Sequence, residues 1–155
     1  VRMNSVEIQR AFEIPGVPAS TRMSEWVLAV MADRVEDSEL VIRVVGIEES
    51  SALNHQYRRK KGPTNVLSFS YEKSYALPLE TFGDLVICAP VVEKEAAEQK
   101  KSLDAHWAHM IVHGVLHLLG YDHDEGIDAL EMETLEQAIL AGMGFPNPYR
   151  EAVEQ

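Results

Sequence analysis

The sequence predicts an α+β fold in one domain spanning 1–155, with one central mixed sheet of about four strands covered by helices. Three observations carry this expectation. Alternating and β-branched runs dominate the first half of the chain, and helix-period apolar runs dominate the second. Ala105 to Leu119 is apolar nearly all round, the mark of a buried helix, yet it contains four histidines. The length of 155 residues falls short of a second domain but suffices for one real core, and no repeat or low-complexity stretch interrupts it.

Val6-Glu7-Ile8-Gln9 alternates as a strand, ending before Pro15. Ser20 can cap a helix whose apolar stripe holds Met23, Trp26, Val27, Val30 and Met31. Leu40 to Ile47 is β-branched and reads as a strand buried on at least one face. Ser50 and Ser51 then offer caps for a short helix through Leu53, Asn54 and Tyr57. After Pro63-Thr64, Asn65 to Tyr71 reads as a strand and residues 72–82 as a loop. Gly83-Asp84 opens a further strand, Leu85 to Cys88, stopped by Pro90. Helices follow from about Val91 to Lys101, Leu103 to Leu119 and Asp128 to Met143, the last stopped by Gly144 and two prolines.

Composition narrows the function. At 46% hydrophobic and 25% charged the chain is an ordinary globular protein, not a disordered tail, a collagen or a coiled coil. The 15-residue run from Ala105 falls short of the roughly 20 that a membrane span needs, so no membrane association is expected. Cys88 is the only cysteine, which excludes an intrachain disulfide and a cysteine-based zinc site and fits a reducing cytosol. No charged-then-apolar leader opens the chain, so a cytoplasmic location is expected. Fourteen Lys+Arg against 25 Asp+Glu give a net charge of −11, which argues against nucleic acid on bulk charge alone. Against that background, Arg58, Arg59, Lys60 and Lys61 form one small basic island.

His106, His109, His113 and His117 lie on one helical stripe. His113 and His117 are i, i+4 neighbours, a spacing at which two ring nitrogens can converge on one ion. Gly120 then lets the chain double back, so that His123 can supply a third nitrogen. Three imidazoles with a fourth position open to water form the layout of a catalytic zinc site. The alternative for any one of them is a hydrogen-bonded core histidine, and His106 and His109 are assigned to that class. The same spacing in zinc proteases includes a glutamate base directly after the first histidine; Gly114 stands there, so the helix supplies ligands but no base and peptide hydrolysis is disfavoured. A water acidified by zinc could instead attack a phosphodiester held by a cation. The basic island supplies candidates: an arginine fork can hold a phosphate, although four basic residues alone read more readily as a solvated loop.

Taken together these segments resemble the YbeY endoribonucleases, bacterial rRNA maturation factors. The match runs through Leu53-Asn54, Tyr57-Arg58, Lys60 and Pro63-Thr64-Asn65-Val66-Leu67-Ser68-Phe69, through Gly83-Asp84-Leu85, and through His113-Gly114, Leu116-His117-Leu118-Leu119-Gly120-Tyr121-Asp122-His123. It extends over nearly the whole chain and is weakest in the first 35 residues. The resemblance implies that His113, His117 and His123 bind one zinc ion and that Arg58 is catalytic. It also implies single-strand-specific cleavage of RNA, processing of rRNA ends and a part in ribosome quality control. The partners expected are therefore single-stranded RNA and the ribosome or its proteins, with no DNA and no membrane. One departure is Lys61, where such sequences often carry an acid. Asp84 and Asp122 are candidates to orient a ligand histidine. Two other readings stand beside this one: a ribosome-assembly factor with a structural metal and little nuclease activity, and a metal hydrolase of another substrate. The acidic last helix, apolar at Met132, Leu135, Ile139 and Met143, reads as a covering helix with a solvated face.

Overall fold

The computed structural model describes residues 3–32, 34–35, 38–70, 80–121 and 126–149. Its elements run β1 (Ser5–Arg10), α1 (Ser20–Met31), β2 (Ser38–Val45), α2 (Ile47–Arg58), β3 (Val66–Ser70), β4 (Glu80–Cys88), α3 (Ala89–Glu98), α4 (Leu103–Leu118) and α5 (Gly126–Gly142). The four strands form one mixed sheet in the order β1-β2-β4-β3. β1, β2 and β4 are parallel, and β3 lies antiparallel to β4 at the edge. This is the α+β architecture expected from the sequence.

Alternation along the central strands sorts side chains to two faces. Leu40, Ile42 and Val44 of β2 and Leu85 and Ile87 of β4 join the main core with α1 and α4. Val45, Val86 and Cys88 point the other way, and with Leu67 they form a smaller cluster under Leu53 of α2. α4 is central: it touches α1, α3 and α5 as well as β3 and β4. Its start is fixed by Ser102, whose Oγ accepts from Ala105 N at 3.1 Å. From Ala105 to Val112 every side chain is buried.

Several boundaries differ from the sequence reading for local reasons. β2 ends at Val45 rather than Ile47 because extended Gly46 caps α2, and a Cβ on Gly46 would lie 2.7 Å from the Phe12 ring. Ser50 is therefore no cap. Its buried hydroxyl donates to Thr64 O at 3.1 Å and accepts from Thr64 N at 3.0 Å. Pro90 does not interrupt the chain after β4 but sits in the first turn of α3, where its missing N–H costs no hydrogen bond. β4 begins at Glu80, earlier than the apolar run beginning at Leu85, because its first residues pair with Ser38 and Glu39 of β2. The loop expected over 72–82 lies largely outside the described residues.

Candidate metal centre and cleft

α4 presents its histidines along one stripe, as the 3- and 4-residue spacing requires. Successive rings meet edge to face, with centroids 6.0 Å apart for His106–His109, 6.2 Å for His109–His113 and 4.9 Å for His113–His117. Three of them are held by carboxylates from neighbouring helices. His106 Nε2 donates to Glu95 Oε1 of α3 at 2.8 Å. His109 Nε2 and His113 Nδ1 both donate to Glu136 Oε2 of α5, at 3.2 and 2.9 Å. Tyr149 Oη donates to the other oxygen, Glu136 Oε1, at 2.5 Å. His106 and His109 are both buried and hydrogen-bonded, but His109, read from sequence as a core residue, also lines the cleft beside His113.

Glu136 is fully buried. Burial alone would raise its carboxyl, but the hydrogen bonds from His109, His113 and Tyr149 outweigh burial and lower it to about 2. It is therefore a carboxylate, which makes both histidine nitrogens facing it N–H donors. Burial pushes His109 below the usual imidazole range, so it stays neutral with its one proton on Nε2. On His113 the proton sits on Nδ1, so the lone pair needed for metal ligation is on Nε2. Burial likewise opposes ionisation of Glu95, yet donation from His106 and Asn65 lowers it overall. Facing the same acid, Tyr149 is raised, first by burial and then by Glu136.

His109, His113 and Glu136 offer donor atoms within 4.8 Å of one another, so this buried trio could hold a metal ion. His113 and His117 also open onto a cleft of ≈ 830 Å³. Across that cleft stand Tyr57 and Arg58 from the last turn of α2 and the edge strand β3. Arg59 takes a left-handed conformation (φ 57°) as the C-cap of α2, ending the helix directly after Arg58. Asn54 Nδ2 donates to Gly62 O at 2.9 Å, and together with the Ser50–Thr64 pair it ties the basic segment back onto α2.

A family model described as Endoribonuclease YbeY matches residues 9–144. The chain belongs to the YbeY endoribonuclease family. Proteins named Endoribonuclease YbeY from three strains of Coxiella burnetii are each 51% identical over 152 residues, covering 96% of this chain and 100% of their own. The solution structure of TM1509 from Thermotoga maritima matches with a TM-score of 0.60 over 99% of this chain and 100% of that one. At 22% identity that likeness shows a shared fold. As a YbeY family member the chain is an endoribonuclease, a hydrolase of phosphodiester bonds in RNA.

Within this YbeY fold, His113, His117 and Arg58 line one cleft. α4 ends as the sequence suggests: Gly120 takes a φ of 101°, and Tyr121 N donates back to Leu116 O at 3.1 Å. His123 and Asp122 lie outside the described residues. Asp84 is half-buried in β4 opposite Phe69, and Glu136 is a carboxylate bonded to His113. Gly114 has a packing reason, since a Cβ there would lie 2.7 Å from Leu85 Cδ2. The helix packs closely on the sheet at that point.

Glu136, Glu95 and Tyr149 were not among the residues singled out from sequence. For Glu136 a signal existed. It lies four residues from both Met132 and Leu140, an acid in the middle of an apolar stripe, and all three are buried. The apolar side of α5 is thus centred on Met132, Glu136 and Leu140, with Leu135, Ile139 and Met143 partly buried beside it. Nothing in the sequence marked Glu95 or Tyr149.

Proposed function

We propose that this YbeY family member is a single-strand-specific, zinc-dependent endoribonuclease that matures rRNA ends and serves ribosome quality control in the cytoplasm, with the ribosome or its proteins as partners. One observation carries the proposal: Arg58, from a helix on the opposite side of the sheet, lines the same cleft as His113 and His117. The absence among the described residues of any helix long and apolar enough to cross a membrane is compatible with it.

The donor set suits zinc, since neutral imidazole nitrogens are among its preferred ligands. His113, His117 and His123 would hold the ion, with Glu136 orienting His113 from behind rather than ligating. Glu136 already accepts three hydrogen bonds and is fully buried, and the His109 Nε2 proton is turned to Glu136 although its ring lines the cleft. A zinc ion held by these residues would supply Lewis acidity at the cleft. Arg58 binds the scissile phosphate through parallel N–H donors and neutralises charge developing at phosphorus. His109 and Tyr149, through Glu136, keep the His113 ring in its Nδ1–H tautomer.

The test is cleavage of single-stranded RNA by wild type, His113→Ala and Arg58→Ala, each with a native melting profile. Both substitutions should abolish most cleavage, and only His113→Ala should lose zinc. Equal cleavage by all three would assign the activity to a contaminant and end the proposal. A second reading is favoured by the His109–His113–Glu136 trio: a closed structural metal in an assembly factor with little nuclease activity. In that case His109→Ala would lose the ion and His117→Ala would keep it, the reverse of what the catalytic site requires.

A further inference from the structure

The cleft holds a feature that metal and arginine chemistry leave unused. Among the described residues the large exposed side chains include two aromatics, Tyr57 at 58% and Tyr149 at 42%, and both line this one cleft. Tyr149 is tethered by its hydroxyl to Glu136 and rests edge to face on His109. Tyr57 is differently placed. It immediately precedes Arg58 in the last turn of α2 and meets the Phe69 ring of β3 at 5.0 Å and 69°. An edge-to-face contact seats the ring firmly without covering both faces, which accounts for its large exposure.

Resting on the endoribonuclease reading above, we infer that Tyr57 is a nucleobase subsite: its open face stacks one base of single-stranded RNA while the adjacent Arg58 holds a phosphate of the same strand. Phe69 is the buttress that fixes the ring, since a platform free to turn would lose the contact. The arrangement meets a need set by the charge of this chain. At a net charge of −11, the chain repels a polyanion overall, and Arg58–Lys61 is its one run of four cations, so phosphate contacts alone are few. Stacking is insensitive to that repulsion and tolerates any base, because every base has a π-face. It also requires single strands, because in a duplex the base faces are already covered by their neighbours.

The test uses the full-length zinc-loaded enzyme and unmodified single-stranded RNA. Tyr57→Leu, which keeps apolar bulk against Phe69 but has no π-face, should raise KM about ten-fold or more, with kcat changed far less. Tyr57→Phe should behave as wild type. For a direct reading, Tyr57→Trp places an exposed indole in a chain whose two native tryptophans, Trp26 and Trp107, are buried at 6% and 1%. Its fluorescence should be quenched saturably by an oligoribonucleotide, and far less by an abasic ribose-phosphate strand of equal length or by duplex RNA. Wild-type KM in Tyr57→Leu, or equal quenching by the abasic strand, overturns the subsite while leaving the endoribonuclease reading intact. If the wild type neither binds nor cleaves RNA, that reading fails and the subsite with it.

Discussion

Arg58 and Glu136 show two opposite ways in which a charged side chain serves one cleft. Arg58 is exposed, and its value lies wholly in what it meets there. Arg58→Ala should lower the cleavage rate by about 100-fold or more while leaving zinc content and melting temperature unchanged; metal analysis beside an RNA cleavage assay checks it. Glu136 is fully buried, and its value lies in the three donors it satisfies. Its folded pKa of about 2 lies below the ordinary 4.5, so its contribution is fully present above about 4.5 and is lost as pH falls towards 2. That contribution is on the order of 3 kcal/mol. Melting temperatures of the metal-free protein should fall through that window. Glu136→Gln should melt lower than wild type at pH 7 and show a flatter acid limb. An unchanged acid limb would show that the carboxylate stabilises nothing.

At the scale of elements, the cleft depends on how closely α4 and β3 approach β4, and two glycines set those distances. A Cβ on Gly114 would meet Leu85 Cδ2 at 2.7 Å, the far end of a side chain. A Cβ on Gly83 would meet the Phe69 carbonyl oxygen at 2.6 Å, which is backbone of the neighbouring strand. Overpacking typically costs about 1–3 kcal/mol. For Gly114→Ala, roughly 1 kcal/mol of recovered helix propensity offsets part of that. Gly83→Ala recovers a similar amount of backbone entropy, but it meets backbone that cannot rotate aside and so displaces β3, the wall that carries Phe69. Denaturant titrations should therefore rank Gly83→Ala clearly less stable than Gly114→Ala. The reverse ranking would mean that the α4–β4 contact, not the β3 edge, is the tighter one.

For the whole molecule, the balance of charge governs how RNA approaches. Four consecutive cations on a chain of net charge −11 allow at most a few phosphate contacts. Binding of single-stranded RNA should therefore fall with salt on a log–log slope no steeper than about −3, four contacts at about −0.7 each. Affinity for naked RNA should also be weak, with a partner on the ribosome assisting delivery. A slope near zero with tight binding, measured by anisotropy between low and high salt, would contradict this picture.

Local rules were enough for much of this molecule. The histidine stripe on a buried helix, the turn at Gly120 and the core face of β2 follow from short-range periodicity and from what glycine permits, so they are legible in the residues themselves. The same holds for the basic segment next to Tyr57. The tertiary structure decided the rest, because it depends on docking between distant segments. On α5 it is Glu136 that bonds His109 and His113, and no helical period states which neighbour an inward face will meet. Ser50 looked like a cap by type, yet it became a clamp on Thr64 because the chain returns there after the basic segment. Arg58 and His113 are 55 positions apart in sequence, and only the packing of α4 against β3 and of α2 against β4 brings them to one cleft.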